Sequence, residues 1–276
     1  MLTPTADIVN DAKANGRGVG AFNVIQLEHA EAIVTGAEKA GAPVVLQLSE
    51  NAVRYHGTLE PLAQATLAVA QQSSAPVAVH LDHATDVSLV RQAVALGFGS
   101  VMYDASVMSY GDNVTATTDV VRHCHEHGVY VEAELGEVGG KDGVHAPGVR
   151  TDPDEAAAYV AATGIDALAV AVGTSHAMLT RDATVDFGLI ERLAATVPVP
   201  LVLHGSSGVP DEDLRRAVAA GMTKVNIATQ LNKAFTAAVR AYLDANPAVV
   251  DTRKYLGAGR DAVADEVARL LGILSA

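Results

Sequence analysis

The sequence predicts an α/β protein, a (β/α)₈ TIM barrel with a C-terminal helical extension, and two observations predict it. Eight short, Val-rich runs are nearly continuous in apolar character, which is typical of strands buried on both faces of a parallel sheet. Ala-rich amphipathic stretches separate these runs, and eight alternating units of this kind favour a closed barrel. A chain of 276 residues suits one such domain, and we expect residues 1–276 to form it.

The predicted strands follow one another along the chain at 18–24, 43–49, 76–82, 100–104, 129–135, 167–173, 199–205 and 223–228. Helical stretches between them begin at a capping residue and end at Gly, as in TDVSLVRQAVALG and TDPDEAAAYVAATG. The tail after residue 229 predicts two more helices, at NKAFTAAVRAYLDAN and GRDAVADEVARLLGIL, which either cap the barrel or join subunits. A doubly wound open sheet is the alternative fold, but no G-x-G-x-x-G follows the first strand.

Composition excludes several classes of function. The net charge of −13 disfavours binding to nucleic acid or to an anionic membrane, because both depend on Lys and Arg to neutralise phosphate. The single cysteine, Cys124, allows no intrachain disulfide. The first residues lack the basic and apolar regions of a signal peptide, and no apolar run approaches the ~18 residues that span a membrane. We therefore expect a cytoplasmic protein with no membrane partner.

Polar residues gather at the carboxyl ends of the predicted strands, where barrel enzymes place their chemistry. Every predicted strand ends with a side chain that can bind, polarise or titrate, whereas the amino ends carry nothing comparable. In chain order these residues are Asn23, Gln47 and Ser49, His80, Asp82 and His83, Asp104, Glu132 and Glu134, His176, His204, and Lys224 and Asn226. A purely structural barrel gives no reason for this asymmetry.

Three of these side chains predict a metal site. His83, His176 and His204 come from three strands of one rim, and three neutral imidazoles bind Zn²⁺ with an open fourth position. Zinc in an open site acts as a Lewis acid that polarises a carbonyl. Asp104 and Glu134 are candidates for outer carboxylates or for an alternative metal position.

Asp82 stands next to a proposed metal ligand. Neighbouring residues of a strand point to opposite faces, so Asp82 and His83 reach the same site only where the strand ends and twists into its loop. His80 shares the parity of Asp82, and it is either a support for the site or a packed core histidine.

The loops after the seventh and eighth strands predict a phosphate site, since barrel enzymes commonly bind phosphate there. The first loop reads HGSSGVP, with Gly205 and Ser207 just before a helix, and the second contains Thr229 at a helix start. Glycine lets the backbone approach an anion, and N–H groups at a helix N-terminus supply positive charge.

Six motifs in order, VHLDHA, MYDAS, EAELGEVGG, VGTSHAM, LVLHGSSGV and TKVNIATQLN, together resemble the class II, zinc-dependent ketose-bisphosphate aldolases. The resemblance runs from GAFNV to the C-terminal helix. It implies a (β/α)₈ barrel that forms a homodimer or homotetramer. It also implies reversible cleavage of a fructose- or tagatose-type ketose 1,6-bisphosphate to dihydroxyacetone phosphate and glyceraldehyde 3-phosphate, with Zn²⁺ and sometimes a monovalent cation, Na⁺ or K⁺.

The resemblance also implies a role for each matching residue. His83, His176 and His204 match zinc ligands, while Asp82 matches the acid/base and Asn226 the amide that contacts the enediolate. Asp104 and Glu134 match carboxylates near a secondary metal position. The implied substrate- and phosphate-binding residues are Asn23, Ser49, Gly173, Gly205, Ser207, Lys224 and Thr229.

A loop and one residue depart from the family pattern, and two further residues give conflicting indications of the substrate. The loop at 139–148 reads GGKDGVHAPG and lacks the usual glutamate, so Asp142 is the candidate for the second proton transfer, with Glu137 as the alternative. Arg181 takes the place of a phosphate-binding Lys. Arg260 matches an arginine that binds the distal phosphate in fructose-specific members, whereas Ala228 is a tagatose-type feature.

Three alternative functions stay open at this point. One is the same chemistry on another phosphorylated keto-sugar or keto-acid, from inositol or hexitol breakdown. A non-catalytic partner subunit of an aldolase does not need the three histidines that this chain has. A zinc hydrolase in the same fold leaves the loops after the seventh and eighth strands unexplained.

Overall fold

The computed structural model describes residues 1–135, 150–175, 178–181 and 183–275. Eight parallel strands form a closed barrel in which each strand pairs with its neighbours in chain order, and β1 pairs with β8. The strands are β1 Val19–Asn23, β2 Val44–Ser49, β3 Val77–Ala84, β4 Ser100–Tyr103, β5 Tyr130–Leu135, β6 Ala167–Val170, β7 Leu201–Leu203 and β8 Met222–Ile227. The predicted TIM barrel is confirmed.

Helices connect the strands and cover the outside of the barrel. In the described residues they are α1 Thr5–Ala14, α2 Leu27–Ala40, α3 Glu50–His56, α4 Glu60–Gln72, α5 Val87–Leu96, α6 Tyr110–Glu126, α7 Pro153–Thr163, α8 Phe187–Thr196, α9 Asp211–Ala219, α10 Thr229–Ala245 and α11 Thr252–Leu274. Asp86 and Asp152 cap α5 and α7 with their side chains, and Gly97 and Gly164 end these helices in the left-handed conformation. The caps follow the sequence signals.

The core has two parts. The larger part lies between the strands and the surrounding helices and contains most of the buried Val, Leu and Ile side chains. The smaller part fills the lower interior of the barrel with alternate strand residues, among them Val45, Ala78 and Met102. Helix α1, which the sequence analysis did not predict, adds Ile8 and Val9 to this interior and closes the amino end of the barrel.

The predicted C-terminal extension consists of α10 and α11. Helix α11 packs against α2 and α10 along the outer wall of the barrel. Its crossing with α2 is close, because a Cβ on Gly36 would lie 2.7 Å from the Ala264 carbonyl oxygen. Among the described helices, none has both the length and the apolar character to cross a lipid bilayer.

Candidate active site

A cavity of about 430 Å³ opens at the carboxyl ends of the strands. This is the size of site that holds a small molecule. Its lining comes from β1, β2, β3 and β8, from α3, and from the loops that follow β7 and β8. The lining residues are Asn23, Ile25, Gln47, Ser49, Asn51, Ala52, Tyr55, Asp82, His83, His204, Gly205, Ser206, Ser207, Asn226, Ala228 and Thr229.

An irregularity in β3 brings Asp82 and His83 to the same cavity. The pairing of β3 with β4 shifts register between Leu81 and Ala84, and His83 has a φ of +49°. Bulges of this kind turn a side chain away from the regular alternation of a strand. Histidine tolerates the left-handed region better than a branched residue does, although the conformation costs about 1–2 kcal/mol. The predicted twist at the end of this strand is therefore present.

Two histidines face each other at the base of the cavity, with His204 Nδ1 2.8 Å from His83 Nε2. Each ring also contacts a carboxylate through its other nitrogen: His83 Nδ1 lies 3.0 Å from Asp104 Oδ2, and His204 Nε2 lies 2.9 Å from Glu132 Oε1. Since an ionised carboxylate only accepts hydrogen bonds, these outer nitrogens carry the protons of the neutral rings. With this proton placement the lone pairs of His83 Nε2 and His204 Nδ1 face each other at 2.8 Å, a repulsive arrangement that a cation or a shared proton between them relieves.

The side chains around these histidines form two candidate metal groups that share His83. One group is Asp82, His83 and His204, and the other is His83, Asp104 and Glu134; in each, the ligand atoms lie within 4.8 Å of one another. Nitrogen and carboxylate ligands of this kind suit Zn²⁺ or a similar divalent ion. His176, the third predicted ligand, lies outside the described residues.

Hydrogen bonds fix the carboxylate of Asp82, which is 3 % exposed. Asn226 Nδ2 donates to Asp82 Oδ1 at 3.2 Å, and Asn23 Nδ2 donates to Asp82 Oδ2 at 3.3 Å. Gln47 Nε2 in turn donates to Asn23 Oδ1 at 2.7 Å. The two amide donors hold this carboxylate in a fixed position beside the cavity, where it can accept a proton from a bound molecule.

The predicted phosphate-binding loop forms a tight turn at one end of the cavity. Gly205 has a φ of +67° and precedes a 3₁₀ turn at Ser206–Gly208. A Cβ on Gly205 would lie 2.6 Å from the Ser175 carbonyl oxygen, so no larger residue fits there without movement. Ser207 and Thr229, the first residue of α10, lie on the same cavity wall. Backbone N–H groups and hydroxyls at this place suit an anion.

Several predicted binding residues lie away from this cavity. Lys224 is buried inside the barrel on Glu132 and Asn226. Gly173 has a φ of +111° and lies against the Thr184 backbone. Arg181 donates to the Val209 carbonyl oxygen and pairs with Asp211, and Arg260 pairs with Glu31 at 3.1 Å. Asp142 and Glu137 lie outside the described residues.

The structure adds residues that the sequence analysis did not select. Asn51 and Tyr55 reach the cavity from α3, a short helix that Ser49 caps by accepting from the Ala52 N–H. The signal for α3 was present in SENAVRYHG, which opens at Ser49 and closes at Gly57 in the left-handed conformation. Glu132 was noted at its strand end but received no role.

His80 lies below the cavity and is 1 % exposed. Its Nδ1 lies 2.8 Å from Ser100 Oγ, and its Nε2 lies 3.8 Å from Glu132 Oε2. Burial lowers the pKa of His80 well below its usual range, and the positive charge of Lys224 lowers it further. His80 is therefore neutral and supports the residues above it rather than lining the cavity.

Fold and site together define a barrel enzyme with a candidate divalent-metal centre at the carboxyl ends of its strands. The family model of class II fructose-bisphosphate aldolase matches residues 3–276. The chain belongs to the class II fructose-bisphosphate aldolase family, and it is therefore a lyase.

Individual relatives agree with this assignment. The fructose-bisphosphate aldolase of Thermus caldophilus is 40% identical over 294 residues, which cover 97% of this chain and 96% of the relative. That of Geobacillus stearothermophilus is 40% identical over 266 residues, covering 95% and 93%. The crystal structure of the YdjI aldolase from Escherichia coli K12 matches with a TM-score of 0.88 at 32% identity, over 99% of this chain and 97% of that one.

Proposed function

We propose that this enzyme is a zinc-dependent aldolase that reversibly cleaves a ketose 1,6-bisphosphate, of the fructose or tagatose type, into dihydroxyacetone phosphate and glyceraldehyde 3-phosphate. The observation that carries the proposal is the 2.8 Å approach of His83 Nε2 to His204 Nδ1, beside the carboxylate of Asp82. His176 is the proposed third ligand. Membership of a family that is generally metal-dependent supports the same conclusion.

The proposed chemistry divides between the metal and the chain. Zinc bound at the histidines supplies Lewis-acid polarisation of the ketone. Asp82 takes the proton of the substrate hydroxyl as the neighbouring carbon–carbon bond breaks, which general base catalysis accelerates by about 10²–10⁴. Asn226 points its amide N–H₂ into the same region, where it can donate to the developing enediolate oxygen. The second proton, to carbon, is assigned to Asp142.

The phosphate of the dihydroxyacetone portion is assigned to the loop of Gly205 and Ser207 and to the start of α10 at Thr229. These residues line the end of the cavity next to His204. Asn23 and Ser49 line the same cavity. A monovalent cation, Na⁺ or K⁺, beside the phosphate remains part of the proposal. The homodimer or homotetramer stays a prediction from the family resemblance, and the cytoplasmic location stays a prediction from the composition of the chain.

The charge of the cavity favours a second candidate, another phosphorylated keto-sugar. Among the described residues that line the cavity there is no Lys or Arg, and Arg181 and Arg260 are held by Asp211 and Glu31. A second phosphate carries nearly two negative charges that need a cationic partner. Asn51 and Tyr55 instead offer neutral polar groups. This arrangement suits a substrate whose far end carries hydroxyls.

One assay with two arms tests both candidates. The zinc content per chain is measured first, and triose-phosphate release is then followed from fructose and tagatose 1,6-bisphosphates and from the matching 1-phosphates, with and without chelator. Chelator-sensitive cleavage of a bisphosphate with about one zinc per chain supports the first candidate. Preference for a 1-phosphate supports the second. Absence of cleavage of all four sugars by zinc-loaded enzyme contradicts both assignments.

A further inference from the structure

We infer that Lys224 is a positioning residue whose ammonium group, acting through Glu132, sets the tautomer of His204 and also sets the orientation of the Asn226 amide. This inference rests on the proposed function for its catalytic meaning, but its structural part concerns hydrogen bonds that exist without substrate. It replaces the sequence-based expectation that Lys224 contacts the substrate.

Lys224 and Glu132 form an ion pair deep inside the barrel. The Nζ–Oε2 distance is 2.8 Å, and both side chains are 1 % exposed. Lys224 Nζ also donates to Asn226 Oδ1 at 2.9 Å, and Glu132 Oε1 accepts from His204 Nε2 at 2.9 Å. The ion pair therefore lies between the proposed metal ligand and the proposed enediolate contact.

A buried ion pair of this kind adds little to the stability of the fold. Desolvating two charges costs as much as their attraction returns, and well-packed apolar residues often serve a core as well or better. The ion pair instead fixes the orientation of the side chains next to it. A carboxylate only accepts hydrogen bonds and an ammonium only donates them, so each neighbour has one allowed orientation.

For His204, the allowed orientation places the proton on Nε2, which faces Glu132. The Nδ1 lone pair is then directed at His83, where the candidate metal group lies. Outer carboxylates fix metal-binding histidines in this way in other metal sites, and losing them costs about 10–100-fold in metal affinity.

For Asn226, the same ammonium selects one of the two amide orientations. Because Lys224 needs an acceptor, Oδ1 faces it, and the N–H₂ group faces Asp82 Oδ1 at 3.2 Å and the cavity. A flipped amide would point its oxygen at the Asp82 carboxylate, and two acceptors repel. One buried cation thus orients both groups.

A second chain of hydrogen bonds supports the ion pair from below. Thr5 Oγ1 donates to Ser100 Oγ at 2.8 Å, which leaves the Ser100 hydroxyl proton for His80 Nδ1, also at 2.8 Å. The proton of the neutral His80 ring is then on Nε2, which faces Glu132 Oε2 at 3.8 Å. This arrangement directs the His80 N–H towards Glu132 and connects α1 with the site.

The test compares the zinc affinity of two variants: the single variant should bind zinc more weakly, and the double variant should recover most of that loss. In Glu132→Gln, Lys224 still needs an acceptor, so the new amide directs its N–H₂ at His204 Nε2 and moves the histidine proton to Nδ1. We expect zinc affinity, measured by competition with a chromophoric chelator, to fall about 10–100-fold. In the double variant Glu132→Gln/Lys224→Met the amide is free to turn its oxygen to His204, and we expect the zinc affinity to recover most of that loss.

The tautomer is read directly from the ¹⁵N spectrum of the histidine rings in metal-free protein. We expect Nε2–H for His204 in the wild type, Nδ1–H in Glu132→Gln and Nε2–H again in the double variant. If Lys224 only filled space, replacing it in the double variant would not return the His204 proton to Nε2. The exposed Lys39, which pairs with Asp265 at 2.9 Å, provides the control Lys39→Met, with unchanged spectrum and zinc affinity.

Nδ1–H in the wild type would overturn the inference, and this measurement needs no variant to fold. So would a double variant that binds zinc no better than Glu132→Gln. The tautomer and zinc readouts do not depend on cleavage of any sugar. If the wild type cleaves none of the sugars but the reversal is seen, the proposed function fails and the positioning role stands.

Discussion

Replacing Gly205 by alanine tests how closely the loop after β7 approaches the segment after β6. Gly205 has a φ of +67°, and an added Cβ would lie 2.6 Å from the Ser175 carbonyl oxygen and 2.9 Å from its backbone nitrogen. All of these contacts are with backbone, so no side chain can turn aside. The left-handed conformation costs a residue with a Cβ about 1–2 kcal/mol. The overpacking adds roughly 1–3 kcal/mol.

Gly41 is the matched control for this substitution. It has a φ of +61°, and an added Cβ would meet nothing within 4 Å. Gly41→Ala therefore carries the conformational cost alone, about 1–2 kcal/mol, whereas Gly205→Ala carries roughly 2–5 kcal/mol. For a chain of this size each kcal/mol lowers the thermal midpoint by about 2–4 °C.

Thermal denaturation followed by circular dichroism measures both midpoints, and zinc competition measures the site. We expect Gly205→Ala to lower the midpoint about 1.5 to 4 times as far as Gly41→Ala. We also expect it alone to weaken zinc binding, because Ser175 directly precedes the proposed ligand His176. Equal midpoint shifts in the two variants, with zinc binding unchanged, would refute the argument from close approach.

Three further predictions concern the proton-transfer residue and two buried groups. Asp82→Asn should retain zinc and lose about 10²–10⁴ in turnover, whereas His204→Ala should lose both; a fully active Asp82→Asn would show that another group takes the proton. Burial raises the pKa of the Cys124 thiol to about 12, so it should react with iodoacetamide only in denaturant, and labelling of native protein contradicts this. Burial lowers the pKa of His29 to about 4 from 6.5, so its neutral form stabilises the fold above pH 6.5 and roughly 3 kcal/mol is lost as pH falls to 4. Urea unfolding of His29→Leu should show a flatter pH dependence in this window, and an unchanged slope would exclude His29 as the cause.

The strands were predictable because their physical environment leaves a strong pattern. A strand buried on both faces must be apolar throughout, and each of the eight predicted runs overlaps an observed strand. The ends were less exact: β7 covers only Leu201–Leu203, and β3 continues to Ala84 through its irregular end. Loop and bulge geometry depends on neighbouring segments, which a local pattern does not contain.

Helix α1 shows a signal that was present but not used. Ile8, Val9 and Ala12 recur at helical spacing, and all three are buried in the lower interior of the barrel. The helix is the first element of the chain and precedes β1. Its apolar face is explained by the open amino end of the barrel, which needs a cover.

The convergence of the candidate site was also predictable, because parallel strands bring their carboxyl ends to one rim. The sequence pattern does not show how deep in the barrel each of these residues lies. In a strand, a residue two positions earlier has the same facing and lies about 6–7 Å lower. Asp82 and Asn226 line the cavity, whereas His80 and Lys224, each two positions earlier, lie buried beneath it. Position near a strand end therefore grouped Lys224 with the substrate contacts.

The barrel interior has a mainly apolar lowest layer, a middle layer that contains His80, Glu132 and Lys224, and the cavity above them. This order explains why the interior contains charged residues. The lowest layer is closed by α1, which reaches His80 through the hydroxyls of Thr5 and Ser100. Neutral histidines that bind a metal from the rim need an acceptor behind them to fix the proton, and Glu132 provides it for His204. An acceptor carboxylate at that depth needs a cation, and Lys224 is within 2.8 Å. Each charged residue thus provides a partner for the one above it, which makes the middle layer a consequence of the proposed metal site.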